Sequence, residues 1–341
     1  MKILYAIQGT GNGHLSRARD IIPLLQQYGQ VDILVSGTQS DVQLPYPVTY
    51  KSKGLSFLYN SKGGIHYRRT LQTNPPLRLL KDINDCPVKQ YDLVINDFEP
   101  ISAWACKYQG KPCVALGHQA SFLSAKTPRP RRKDILGEFV LHHYAPSTKA
   151  FGFHFEKYDD FIFPPVIRSE IREGHHRDLG HITAYLPSVG DERLIGWFRQ
   201  FPDFKWELFS RYCKTPYRKG NVEVFPVSND RFIDSFLSCH AIFTGAGFET
   251  PAEALYMGKK LMVVPVKGQY EQQCNAAALE KMGVPVIWKL RENIPLKIHE
   301  WLRQPAKPPV LFPQEAQEVV ARIIDASQSP AEPILSLTAE S

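Results

Sequence analysis

The sequence contains no run of about eighteen or more apolar residues, so no membrane-crossing helix is expected. The start, MKILYAIQG, opens directly as a strand, and neither a signal peptide nor a lipidation signal is expected. Cysteine is sparse. The six, at positions 86, 106, 113, 213, 239 and 274, form no C-x-x-C pair and no metal-like spacing. They read as the reduced thiols of a cytoplasmic protein. His142/His143 and His175/His176 are neighbours, and adjacent residues do not share a helix face. With no acid or cysteine at ligand spacing, they read as surface histidines and no metal is expected. Internal repeats of solenoid period are absent. The excess of 41 basic over 34 acidic residues is modest, which suits an anionic ligand or surface. It is densest in Lys126–Lys133, KTPRPRRK. Without a known module or interleaved aromatics, that run does not argue for nucleic acid. It remains either a solvated loop or a peripheral contact with the inner face of a membrane.

What is present is ample apolar material. At 341 residues and 43% apolar composition, the chain can bury two cores. Residues 2–8 read as an apolar strand, followed by the glycine turn GTGNGH. In the helix beyond it Leu15, Ala18, Ile22 and Leu25 recur at helical spacing, and VDILVSG is the next strand. A βαβ unit of this kind implies a parallel, doubly wound α/β sheet. YDLVINDFEP and PCVALGH read as later strands of the same sheet. FIFPPVIRSEI is extended and proline-containing, the natural linker. Beyond it HITAYLP, KWELFS, VEVFPV, AIFTG and LMVVPV supply strands, with another near Val284–Trp288. The expected division is 1–165, then 166–326, then a polar flexible tail at 327–341.

GTGNGHLSRA invites a dinucleotide reading, and that reading fails twice. In either G-x-G-x-x-G frame the third glycine falls on His14 or Ser16, and the second strand ends in Ser36-Gly37 without an acid for a ribose hydroxyl. His14 is left at the junction of the first strand and its helix, where an active-site mouth forms.

The most informative stretch is 244–276, TGAGFETPAEALYMGKKLMVVPVKGQYEQQCNA. Gly245 and Gly247 lie between a strand and a helix, where bare N–H groups and the helix dipole favour an anion. Gln272 and Asn275 are three apart on the next helix and can meet one ligand. The set Gly247, Thr250, Glu253-Ala254, Gly258 and Pro265, with Gln272 to Ala276 behind it, resembles the nucleotide-sugar segment of GT-B glycosyltransferases. It is most similar to the group of the bacterial peptidoglycan-lipid N-acetylglucosaminyl transferase and the UDP-glucuronosyltransferase-like proteins.

The resemblance implies two Rossmann-like domains facing across a cleft. It also implies metal-independent transfer from a nucleotide-diphospho sugar, UDP-linked by expectation, to an acceptor hydroxyl, with no cofactor beyond that co-substrate. No D-x-D motif argues for a metal-held diphosphate. Inverting transfer needs a base of near-neutral pKa, and the implied base is His14. Asp97, at the end of a later strand, is its expected orienter, with Glu99 the rival. Gly11, Asn12 and Gly13, together with Ser188, Gly245, Gly247 and Thr250, are implied on the donor side. Glu253 would hold the ribose, Glu271 and Gln272 the sugar, and Phe225 and Val227 the base edge, with Asn275 also on the donor side. Glu99, His118 and Gln119 would face an acceptor of unknown kind; the loop SKGGIHYRR at 61–69 fits an acceptor-side loop and an ordinary surface excursion equally. A UDP-sugar 2-epimerase of the same architecture and a non-catalytic nucleotide-sugar binder remain as alternatives.

Overall fold

The computed structural model describes residues 1–10, 12–37, 44–54, 75–291 and 293–328. Two compact units share the chain. The first takes Met1–Thr127, Lys133–Val166 and the chain from Pro313 onward; the second takes Pro128–Arg132 and Ile167–Phe312.

The first unit runs β1 (Lys2–Gln8), α1 (Asn12–Gln26), β2 (Gln30–Ser36), β3 (Tyr50–Ser52), α2 (Pro76–Asp85) and β4 (Leu93–Asp97). It continues with α3 (Pro100–Gln109), β5 (Val114–Gly117), α4 (Ile135–His143), β6 (Lys149–Phe153) and β7 (Ile162–Phe163). Its sheet has the order β3-β2-β1-β4-β5-β6-β7, and every pairing is parallel. A parallel sheet is covered on both faces, and this explains why β1 is buried without alternation from Ile3 to Gln8. Strand order reverses between β1 and β4, where Ile7 pairs with Asp97. At such a switch the connections leave in opposite directions and open a crevice at the strands' carboxyl ends.

The second unit comprises α5 (Ser169–Arg172), β8 (Ile182–Tyr185), α6 (Asp191–Phe198), β9 (Trp206–Ser210), β10 (Tyr217–Lys219), β11 (Val222–Pro226) and α7 (Asn229–Ser238). After these come β12 (Ala241–Gly245), α8 (Glu249–Tyr256), β13 (Lys260–Val264), α9 (Tyr270–Lys281) and α10 (Ile294–Arg303). Its sheet order is β10-β11-β9-β8-β12-β13, parallel except for the β10–β11 edge. The reversal here lies between β8 and β12. Phe198 stacks on Trp206 with centroids 3.9 Å apart in the middle of this core.

Four expectations need correction. The expected linker begins inside the first sheet, because Ile162–Phe163 pairs with β6 and only the chain from Ile167 joins the second unit. The expected 166–326 domain stops at Phe312. A last helix, α11 (Ala316–Gln328), returns to pack on α1, burying Val319, Val320 and Ile323, while Lys149 Nζ donates to the Ala326 carbonyl at 2.6 Å. The tail set at 327 therefore starts inside that helix, and 329–341 lie outside the described residues. Val284–Trp288 makes a single bridge, Val286 to Val263, in place of a strand. Among the described residues no helix is long and apolar enough to cross a membrane.

Candidate functional site

The β1–β4 switch brings His14 and Asp97 together across 83 residues of sequence. His14 stands in the first turn of α1, just beyond β1, and Asp97 ends β4 alongside. Nδ1 of the imidazole lies 2.8 Å from Asp97 Oδ1. A carboxylate only accepts, so Nδ1 carries the proton and Nε2 the lone pair. The Gln119 amide, in the short turn after β5, lies 3.4 Å from that lone pair and donates to it. Arg17 Nη2 reaches both Asp97 oxygens, at 2.8 and 2.7 Å, and lies 3.3 Å from His14 Nδ1. Burial works to raise the Asp97 carboxyl, but Arg17 and His14 outweigh it and hold it below the usual carboxylate range. Asp97 and Arg17 are buried, whereas 12% of the His14 side chain stays accessible.

The chain turns sharply after Asp97. Phe98 takes φ 53°, alone among the described non-glycine residues in being positive, and its ring rests on Tyr144 at 4.9 Å. A left-handed non-glycine residue costs about 1–3 kcal/mol and persists where the surroundings impose it. The next residue, Glu99, corrects the acceptor-side expectation held for it. Glu99 is fully buried and caps α3: one oxygen accepts from the Ile101 amide at 2.7 Å, the other from the Ser102 amide and hydroxyl at 2.7 and 2.6 Å. A carboxylate spent on a helix start serves the fold. Burial pushes its carboxyl up, against those donors. His118 is corrected likewise. It is 1% exposed, Nδ1 donates to the Phe153 carbonyl at 2.8 Å, and its ring packs among Phe122 and His154.

Gly117 ends β5 beneath the carboxylate. A Cβ there would collide with Asp97 Oδ1 and stand 3.3 Å from Arg17 Nη2. Displacing a positioned group by about 1 Å costs on the order of 100-fold in rate. Gly117→Ala is therefore expected to fold, keep its melting temperature to within a few degrees, and lose about that much transfer activity. A turnover rate equal to wild type would show that Asp97 need not hold this position.

In the second unit, the β8–β12 switch places exposed Ser188 and the Gly245–Thr250 turn together. A Cβ on Gly247 would meet nothing within 4 Å, and no side-chain hydrogen bond from the cap residue Phe248 closes the start of α8. Thr250 and Glu271 are partly exposed on the first turns of α8 and α9. Gln272 reaches the turn: a Cβ on Gly245 would lie 3.6 Å from its Oε1, which also accepts from the Val266 amide. Asn275 is fully buried and donates to the Ala246 carbonyl at 3.2 Å, so it braces the turn. Phe225 and Val227 are partly exposed, and Arg231 covers the Phe225 ring at 4.5 Å.

Glu253 departs from its expected ribose role. It is 1% exposed, and Arg168 grips both oxygens, Nε at 2.6 Å and Nη2 at 2.7 Å. Breaking a buried pair by removing one partner costs about 3–5 kcal/mol. Arg168→Met should lower the unfolding free energy measured in urea by that amount; unchanged stability with weakened nucleotide binding would return Glu253 to the ribose.

Asn12 and Gly13 open α1 and are partly exposed, while Gly11 and the 61–69 loop lie outside the described residues. Lys126 pairs with Asp159 at 3.3 Å, and Arg131, Arg132 and Lys133 are exposed. Among the described residues no cluster of three metal-type ligands occurs. Sequence reasoning missed Arg17, Gly117 and Arg168. Only Arg17 carried a local signal, its i, i+3 spacing from His14.

The family model described as glycosyl transferase family 1 matches residues 1–304. No curated protein matches the sequence. Solved structures do. The glycotransferase of kitacinnamycin aligns at 13% identity and TM-score 0.56, covering 96% of this chain and 95% of that one. Phytolacca americana UGT2, solved with UDP-2-fluoro-glucose and pterostilbene, aligns at 13% identity and TM-score 0.55, covering 96% and 94%. The spinosyn rhamnosyltransferase SpnG, solved with spinosyn aglycone, aligns at 12% identity and TM-score 0.54, covering 96% of each chain. These likenesses establish the GT-B type of fold.

Proposed function

The chain belongs to glycosyl transferase family 1 and is a glycosyltransferase; from that premise we propose that it transfers a sugar, with inversion, from a UDP-sugar to an acceptor hydroxyl, His14 acting as base. The observation that carries the reading is the 2.8 Å contact of His14 Nδ1 with Asp97, which leaves Nε2 as the nitrogen able to take a proton. Nε2 removes the acceptor's hydroxyl proton as that oxygen attacks the anomeric carbon. The bond from that carbon to the diphosphate oxygen breaks, and the diphosphate departs with its electron pair. The new imidazolium stays paired with Asp97. A base placed in this way contributes about 10²–10⁴-fold.

The amino end of α8, with Gly245, Gly247 and Thr250, is the proposed diphosphate cradle, with Ser188 after the neighbouring strand β8. Glu271 and Gln272 would meet the sugar, and Phe225 and Val227 the base. UDP is favoured because UGT2 and LpCGTa, both of similar fold, were solved with UDP ligands. The epimerase reading loses its support. It needs free carboxylates converging on the sugar, and Asp97 and Glu99 are both buried and committed. An anionic membrane surface is a suitable peripheral partner for Arg131, Arg132 and Lys133, measured by co-sedimentation with anionic and neutral vesicles.

A thermal-shift panel of nucleotide sugars tests the donor. A ligand at a hundred times its Kd stabilises the folded state by about 2.7 kcal/mol, and UDP-sugars should raise the melting point most. If none does, the donor reading falls. Binding without UDP release across a broad acceptor panel would leave a binder.

A further inference from the structure

We propose that Arg17 is a positioning residue of this site, holding Asp97 in place and keeping Nε2 of the His14 imidazole unprotonated so that it can accept a proton from the acceptor. The proposal rests on the transfer reading above and adds a residue that a histidine–aspartate pair does not require.

The geometry is specific. One nitrogen, Nη2, bridges both carboxylate oxygens at 2.8 and 2.7 Å and stands 3.3 Å from the protonated nitrogen of His14. The i, i+3 spacing on α1 sets both side chains over one carboxylate. Arg17 is 2% exposed, and the Phe153 ring of β6 lies 5.9 Å from its guanidinium carbon, so water screens these charges little.

The charge count gives the consequence. A neutral imidazole beside an aspartate alone has net charge −1, and a proton brings it to zero; such a pair attracts the proton. With Arg17 included the resting sum is already zero, and a proton on His14 raises it to +1 at short range in a poorly hydrated place. Arg17 therefore opposes protonation of His14 in the resting enzyme. Asp97 retains the orienting contact, since its charge is divided between two donors and not removed.

Three further groups near the cluster bring no compensating charge to the imidazole. The Gln119 amide meets Nε2 and is neutral. Tyr5 of β1 lies near Asp97 and Arg17; burial, and then the Asp97 charge, push its phenol well above the ordinary value, so it stays uncharged. Glu99, two residues beyond Asp97, is turned to the start of α3.

The test reads His14 directly by nitrogen-15 NMR titration of the free protein, with the pH profile of kcat/KM measured alongside. In wild type, His14 is expected to titrate below the ordinary imidazole value of about 6.5. Arg17→Met should move that midpoint, and the acid limb of kcat/KM, upward by about one pH unit or more, a tenfold change in proton affinity. Arg17→Lys, which keeps the charge, should bring both most of the way back. A midpoint unmoved or lowered in Arg17→Met would overturn the proposal. Should Arg17→Met not fold, a wild-type midpoint at or above about 6.5 overturns it alone, and one below supports it. The titration needs no substrate. If it behaves as expected but no acceptor ever receives sugar, the transfer reading falls and the charge relation stands.

Discussion

His14→Ala is expected to lose about 10²–10⁴-fold in kcat, the contribution of a positioned base, while its Kd for UDP changes by no more than a factor of about two. The separation follows from placement. His14 opens α1 in the first unit, and the residues proposed for the diphosphate lie at the α8 turn of the second. The side chain is partly accessible, so its removal leaves no unpaired buried charge and should cost little stability. Calorimetric titration of UDP and measurement of sugar transfer separate the two properties. If both fall together, His14 serves donor binding and the base lies elsewhere.

Asp97→Asn should cost on the order of 10³–10⁴-fold in kcat, as loss of an orienting carboxylate does in histidine-centred sites. An amide can present its NH₂ to the ring, and His14 then no longer needs a proton on Nδ1. Nε2 becomes protonated in part of the population and cannot act as base. The same change deprives buried Arg17 of its carboxylate, which carries a stability penalty of about 3–5 kcal/mol that His14→Ala does not. Measuring kcat and the urea midpoint for both variants distinguishes orientation from basicity. Full activity in Asp97→Asn would mean that the 2.8 Å contact has no part in catalysis.

His14 and Asp97 were legible in the sequence because each follows a strand whose apolar run is unmistakable, and sheet topology then places strand ends side by side. The glycine turn at 245–247 was legible for the same reason. Glu99 was misread although E-P-I-S carries the signature of a helix start, an acid at the cap and proline in the first turn. Glu253 was misread because its partner is 85 positions away, and no local pattern announces a guanidinium from another element. Gly117 matters through one missing methyl group below a carboxylate, which only packing reveals. The return of α11 was invisible because an amphipathic helix records that it must be covered and not by what.

That returning helix makes the chain a host with a guest. Residues 167–312 interrupt the first unit, and near the two ends of that insert the Arg172 guanidinium reaches the Phe312 carbonyl at 3.4 Å. A truncation at Val166 would strip α1 of its cover and expose an apolar stripe. An exchange at 167 and 312 would keep α11 on α1 and move the second sheet intact, leaving only Pro128–Arg132 of that unit behind. Grafting a relative's insert between those positions is therefore a direct test of whether the proposed donor turn travels with the insert.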